Sequence, residues 1–418
     1  MFRAPRGTDD ILPQDQPYWR LIEQTAEAVC RRFGHQRIRT PLFEDSALFI
    51  RGVGAGTDIV EKEMYTFEDR GGDSLTLLPE GTASVCRAYL EHGMANLPQP
   101  VRLFYFTPIF RYERPQAGRY RQHHQFGVEA LGDADPSTDA EVIELGWRFL
   151  ANLGLRDLTL YVNSIGDRRC RPGFVEALKA YYLPQQEALC QDCRGRLQRS
   201  PLRLLDCKVP SCQALAEQAP HTLDHLCDDC ANHWQRLVVY LDRLDIPYVV
   251  DHHLVRGLDY YTRTVFEVKP QVEGSQVTIL AGGRYDGLME ELGGKPTPGV
   301  GFGSGIERMV LNLKRQETQP PDPLPRPVVV VSLGEQARVE GISLASRLRQ
   351  DGLAAAVAPG GRSLKAQLRY ASALNARYAL ILGDRELEKG VVVVRDMDQG
   401  EQREVEAARV ADVVGGGR

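Results

Sequence analysis

Val101-Arg102-Leu103-Phe104-Tyr105-Phe106-Thr107-Pro108-Ile109-Phe110-Arg111 and Gln125-Phe126-Gly127-Val128-Glu129-Ala130-Leu131 are two β-prone runs separated only by a basic turn. Strands joined this way pair antiparallel, because parallel neighbours need a long crossover. Stretches 158–163, 264–268 and 277–281 read as further strands, again without regular crossover helices between them. Amphipathic helical spacing covers 15–33 and 80–91. The expected fold class is therefore α+β, a mainly antiparallel sheet backed by helices. Residues 168–236, partly helical and rich in cysteine, read as an insertion between strands of that sheet.

Outward from this core, Gln319-Pro320-Pro321-Asp322-Pro323-Leu324-Pro325-Arg326-Pro327 places five prolines in nine residues. Such a run excludes a helix or a central strand and marks a stiff linker. Beyond it the pattern changes. Strand-like runs at 328–333, 353–358, 378–382 and 391–395 alternate with helical spacing at 335–350 and a helix expected after the N-cap Ser363. That alternation predicts a small α/β domain with a mostly parallel sheet. The expected division is 1–318, a linker at 319–327, and 328–418.

With 43% hydrophobic and 26% charged residues, the 418-residue chain is no disordered or low-complexity polymer. No apolar run reaches the eighteen residues a membrane helix needs, so no membrane partner is expected. The first residues, Met1-Phe2-Arg3-Ala4-Pro5-Arg6-Gly7, carry no apolar signal core, and a cytoplasmic location is expected. The net charge of −5 means that a nucleic-acid partner would have to be met by local basic patches.

Arg111-Tyr112-Glu113-Arg114-Pro115-Gln116-Ala117-Gly118-Arg119-Tyr120-Arg121 holds four arginines in eleven residues. Guanidinium forks suit phosphate, although alone the stretch equally describes a solvated hairpin tip. Gly299-Val300-Gly301-Phe302-Gly303-Ser304-Gly305-Ile306-Glu307-Arg308 leads a strand into a helix whose first turn presents Arg308, where an anion is favoured. On the second strand, period two puts Gln125 and Glu129 on one face, with Gly127 leaving room between them for a ligand. Glu80 opens a helix, which a first-turn acid does for dipole reasons alone. Of nine cysteines, six fall between Cys190 and Cys230. The pairs Cys190-x-x-Cys193 and Cys227-x-x-Cys230 fit either a Cys₄ structural zinc site or reduced packing thiols.

In combination, Arg6-Gly7-Thr8-Asp9-Asp10, Leu78-Pro79-Glu80-Gly81-Thr82, Phe110-Arg111-Tyr112-Glu113, Leu254-Val255-Arg256-Gly257-Leu258-Asp259-Tyr260-Tyr261 and Gly303-Ser304-Gly305-Ile306-Glu307-Arg308 occur in an order that resembles the histidyl-tRNA synthetase family. The resemblance spans essentially the whole chain. It implies a class II synthetase sheet with an insertion domain and a C-terminal α/β anticodon-binding domain. It also implies a homodimer that takes L-histidine, ATP with Mg²⁺, and tRNA(His). Pro41 resembles the proline of the dimer-forming motif. The catalytic set implied is Arg256, Arg111 and Arg308, with Arg111 on the α-phosphate, Arg308 on the γ-phosphate, and Arg256 poised at the scissile phosphate. Histidine would meet Glu80, Gly81, Thr82 and Gln125 about its α-amino group, and Glu129, Tyr260 and Tyr261 about its imidazole, with Arg111 and Arg256 beside it. ATP would meet Arg111, Glu113, His123 and Arg308. Where the family usually stacks a phenylalanine on adenine, this sequence has His123.

Overall fold

The computed structural model describes residues 2–54, 56–114, 119–271, 278–321 and 325–416. The middle of the arginine-rich turn (115–118), the start of the expected strand at 277, and linker residues 322–324 lie outside the described residues. The chain divides into two compact units, Met1–Pro321 and Asp322–Arg418.

Strands of the first unit are β1 (Gln36–Arg37), β2 (Phe43–Asp45), β3 (Thr66–Glu68), β4 (Ser74–Leu77), β5 (Val101–Phe110), β6 (Gln122–Leu131), β7 (Leu158–Ser164), β8 (Tyr248–Val250), β9 (Thr262–Pro270), β10 (Leu280–Arg284) and β11 (Gly299–Gly305). Eight of them form one sheet in the order β1-β5-β6-β11-β10-β9-β7-β8, while β2-β4-β3 form a small separate sheet. From β5 to β7 every pairing in the large sheet is antiparallel; the outermost pairs β1–β5 and β7–β8 are parallel. Strand β6 begins three residues before its expected start, because His123 and His124 pair with Ile109 and Pro108 across the hairpin.

Alternation along β6 divides the molecule. Phe126, Val128 and Ala130 enter a core with the helices Gln16–Arg32, Pro136–Asn152 and Ile306–Arg315. Leu131, with Leu103 and Tyr105 of β5, enters a second core on the opposite face, where the helix Thr82–Glu91 packs. The segment between β7 and β8 holds the helices Arg171–Tyr182, Gln191–Arg199, Pro210–Ala216 and Asp228–Arg243. Its Phe174, Leu178, Tyr182 and Leu197 share this second core with Val255, Tyr260 and Tyr261. The insertion is thus welded to the loop that carries Arg256.

In the second unit, β12 (Val328–Ser332), β13 (Ala355–Val357), β14 (Tyr378–Leu382), β15 (Val391–Asp396) and β16 (Gln402–Glu406) align as β13-β12-β14-β15-β16. The first three are parallel and the last two antiparallel. Helix Glu335–Gln350 follows β12, and Ser363 caps the helix Leu364–Ala373 by accepting the Ala366 N–H.

Candidate active site

One open cavity, with an empty volume of about 1050 Å³, lies on the second face of the large sheet. Arg111, Arg256 and Arg308 reach it from three places in the sequence, and Glu80, Thr82, Gln125, Tyr260 and Tyr261 line it as well. Glu113 and His123 complete the expected residues on its wall.

Each arginine is held by a specific acceptor. Arg111 donates its Nε–H to the Pro79 carbonyl at 2.7 Å. Arg308 donates to the Thr278 carbonyl at 2.9 Å. Arg256 pairs with Glu267 at 2.5 Å, and its buried Nε has no hydrogen-bond partner among the described residues. Burial, followed by the like charges of Arg119 and Arg111, holds the Arg308 guanidinium below its ordinary pKa against the opposing pull of Glu113. A crowd of cations in a half-enclosed space is a site that gains by taking up an anion.

On the other side the wall is polar. Glu80 accepts the Thr82 and Ala83 N–H groups at 2.8 and 2.7 Å, but from outside the helix, which begins at Thr82 after the N-cap Gly81, so it is not the first-turn acid expected. It also receives the Tyr260 hydroxyl at 3.4 Å, which makes it a cavity carboxylate. Burial raises the pKa values of Tyr105, Tyr260, Tyr261 and Tyr285 and keeps all four as neutral phenols. His123 is also neutral: burial first, then Arg111 and Arg308, lower its pKa to about 3. An uncharged imidazole is a flat stacking surface that adds nothing to the positive field.

The structure modifies three expectations here. The space over Gly127 belongs to Tyr105, not to a ligand; a Cβ on Gly127 would stand 2.1 Å from the tyrosine ring. The same ring covers Gly81, which therefore makes room without lining the cavity. Glu129 is completely buried one layer behind the wall. It accepts from Thr82 at 2.8 Å, from Tyr105 at 3.1 Å and from the Tyr285 hydroxyl. Gly301 and Gly303 on β11 leave space for the Glu129 and Gln125 side chains; a Cβ at either would collide with them.

Burial, and next the proximity of Glu80, push the Glu129 carboxyl up to about 8 against the pull of its hydroxyl donors. The native state thus keeps a proton that the unfolded chain releases above its ordinary value of 4.5. The contribution of this group to stability must therefore fall as pH rises from about 5 to 8. Urea midpoints of wild type and Glu129→Gln over that range should diverge in favour of the glutamine variant towards pH 8; parallel curves would contradict the buried, protonated carboxyl.

Comparison with known proteins gives the family. The profile of the family described as "Histidyl-tRNA synthetase" matches residues 7–309, and that of "Anticodon binding domain" matches 327–416. A "Histidine--tRNA ligase" of Dehalococcoides mccartyi is 57% identical over 403 residues, 96% of each chain. One from Moorella thermoacetica is 52% identical over 408 residues, covering 98% of this chain and 96% of the relative. The chain belongs to the histidyl-tRNA synthetase family. The crystal structure of apo S. aureus histidyl-tRNA synthetase superposes with a TM-score of 0.82 at 38% identity, covering 99% of both chains.

Two further acidic residues, Glu267 and Glu307, serve this site without standing out in the sequence. Glu267 lines the cavity and gathers Arg256, Lys269 at 2.9 Å and Thr278 at 3.1 Å. Glu307, in the first turn of its helix, binds the His124 backbone N–H at 2.9 Å and its Nδ1 at 2.8 Å. Arg284, part of a glycine-flanked stretch, is not a cavity residue: it is fully buried and paired with Asp139. The expected metal set Cys190, Cys193, Cys227 and Cys230 is not brought together. Cys190 and Cys193 cluster with Cys207 and Cys212, whereas Cys227 and Cys230 cluster with Cys170 and Asp167. The two pairs cap different helices, Gln191–Arg199 and Asp228–Arg243, and each finds its partners locally.

Proposed function

We propose that the chain is a histidine–tRNA ligase that activates L-histidine with ATP, taken as its Mg²⁺ complex, and transfers the histidyl group to the 3′ end of tRNA(His). The observation that carries this reading is the convergence of Arg111, Arg256 and Arg308 on one cavity whose other wall is built from Glu80, Gln125 and neutral tyrosines. In this reading the histidine ammonium faces Glu80 and Gln125, and the imidazole faces Tyr260 and Tyr261 with the Glu129 layer behind. The carboxylate is turned towards Arg256. ATP stacks adenine on His123 near Glu113, with its α-phosphate on Arg111 and its γ-phosphate on Arg308.

No side-chain nucleophile is needed. A histidine carboxylate oxygen attacks the α-phosphorus, the bond to the bridging oxygen breaks, and pyrophosphate leaves with the electron pair. Charge grows on the phosphoryl oxygens as this happens, and guanidinium donors already fixed by Pro79, Thr278 and Glu267 meet it without reorganising. A histidine analogue lacking a ring N–H would leave buried hydroxyls unpaired, which is how a polar pocket discriminates strongly.

Glu129 acts here through the hydroxyls of Thr82 and Tyr105. Glu129→Gln keeps the shape but sets an NH₂ donor against hydroxyl donors. Loss of a hydrogen bond to this neutral, protonated carboxyl costs about 0.5–1.5 kcal/mol, or about 2- to 10-fold. The KM for histidine should rise by that order while the KM for ATP stays near wild type; equal increases would make Glu129 a general scaffold residue.

Homodimerisation in the cytoplasm is part of the same proposal. Pro41 lies two residues before β2, and the exposed apolar Leu42, Phe43, Ile50 and Phe67 lie on or beside the small β2-β4-β3 sheet. Among the described residues no helix is long and apolar enough to cross a membrane. The test of the function is ATP-dependent charging of a tRNA(His) transcript, with histidine compared against the other amino acids. Histidine alone should be attached; charging with another amino acid, or none, would overturn the assignment.

A further inference from the structure

The insertion between β7 and β8 is built from short helical pieces around two clusters of thiols, and all nine cysteines of the chain are free. In the first cluster, Cys190, Cys193, Cys207 and Cys212 bring four Sγ atoms within 4.8 Å of one another. Cys190 Sγ accepts the Cys193 N–H at 3.4 Å, and the Cys190 N–H points at Cys212 Sγ at 3.3 Å. Backbone N–H groups aimed at sulfur favour thiolate, the form that binds metal. Cys190 and Cys207 place their sulfurs 3.9 Å apart. That is nearly twice a disulfide bond of about 2.05 Å. It is close to the edge of about 3.8 Å in a tetrahedron with metal–sulfur arms of about 2.3 Å.

A second cluster stands at the root of the insertion. Cys170, Cys227, Cys230 and Asp167 again hold their ligand atoms within 4.8 Å. Asp167 donates its N–H to Cys170 Sγ at 3.4 Å, while its Oδ2 is held by Arg169 at 3.1 Å and its Oδ1 lies 3.6 Å from Cys170 Sγ and 4.0 Å from Cys227 Sγ. The turn that makes this possible passes through Gly166 at φ +65°, where a Cβ would stand 2.7 Å from Cys170 Sγ.

We propose that the insertion binds two Zn²⁺ ions, one held by Cys190, Cys193, Cys207 and Cys212, the other by Cys170, Cys227, Cys230 and Asp167. Three or four soft thiolates around a single tetrahedral point select zinc over hard cations. The ions staple a region of short helices, as metals do where local cores are small. The second ion also acts on the cavity. Arg171, next to Cys170, donates to the carbonyls of Ile165 at 3.3 Å, Gly166 at 3.2 Å and Tyr261. Fixing Cys170 therefore fixes the backbone of a tyrosine on the cavity wall.

The full-length chain, purified without chelators, is assayed by elemental mass spectrometry. Two zinc ions per chain are expected, one in Cys207→Ser, one in Cys227→Ser and none in the double variant. Because loss of a ligand can unfold the insertion, wild-type protein is also titrated with a mercurial that releases thiolate-bound metal, which should free two equivalents of zinc. Replacement by Co²⁺ should give the sulfur-to-cobalt charge-transfer bands of tetrahedral thiolate sites. A zinc-free chain, or one carrying iron or disulfides in place of zinc, overturns the proposal. A single zinc lost in Cys207→Ser but kept in Cys227→Ser retains the first site and removes the second.

Discussion

Arg256→Ala should lower the rate of histidyl-adenylate formation by about 10²–10³-fold, the usual cost of removing one preorganised donor from a site of developing charge. Its guanidinium is locked to Glu267 at 2.5 Å and keeps a buried Nε without a partner among the described residues. The side chain is therefore poised for an acceptor whose negative charge grows as the reaction proceeds. An interaction made in the transition state lowers kcat and leaves KM little changed. Thermal stability should change modestly, because Glu267 retains Lys269 and Thr278 as partners. Arg256→Lys should recover only part of the rate, since an ammonium cannot reproduce the planar fork. Unchanged pyrophosphate exchange in Arg256→Ala would remove this residue from the mechanism.

Deleting residues 328–418 should spare histidyl-adenylate formation and cut tRNA charging by a large factor. Each unit has its own apolar core, the second built around Val330, Leu344, Leu380 and Val394. Residues 328–418 contain 13 basic and 12 acidic side chains, so overall charge does not select for RNA, and a local face must do so. Lys365 and Arg369 are exposed one turn apart on the helix Leu364–Ala373. Arg362, expected on the same helical face, instead lies before the cap Ser363, in the exposed turn with Gly360 and Gly361. All three are exposed within this stretch, and on the proposed function they are the basic face that an RNA backbone would meet. Equal loss of both activities in a truncated protein that melts cooperatively would contradict separate roles for the units.

What was legible in the sequence was local. Period two placed Gln125 and Glu129 on one face, and both do reach the Tyr105 hydroxyl. Alternating apolar runs identified β5, and Ser363 marked a helix start, because both signals are carried by neighbouring residues. What was not legible depends on register. Tyr105 fills the space over Gly127 because the hairpin pairs these two residues directly, a fact set by where the turn closes. The two-residue β1 and three-residue β8 are too short to show a pattern, so the parallel edges of the sheet were invisible. Spacing likewise paired the two Cys-x-x-Cys motifs with each other. Their partners are Cys207 and Cys212 in one case and Cys170 and Asp167 in the other, brought close by turns that no spacing rule encodes. Glu267 was hidden for the same reason: its strand was recognised, but its ion pair with Arg256 spans a loop.

On the proposed function, the arginine-lined cavity activates histidine with ATP. The most direct test is incorporation of labelled pyrophosphate into ATP by the wild-type chain, without tRNA, in the presence of histidine. Exchange that depends on histidine and is absent with other amino acids is the predicted result. A folded protein that binds histidine yet shows no exchange would contradict it, and would leave the cavity as a histidine sensor without chemistry.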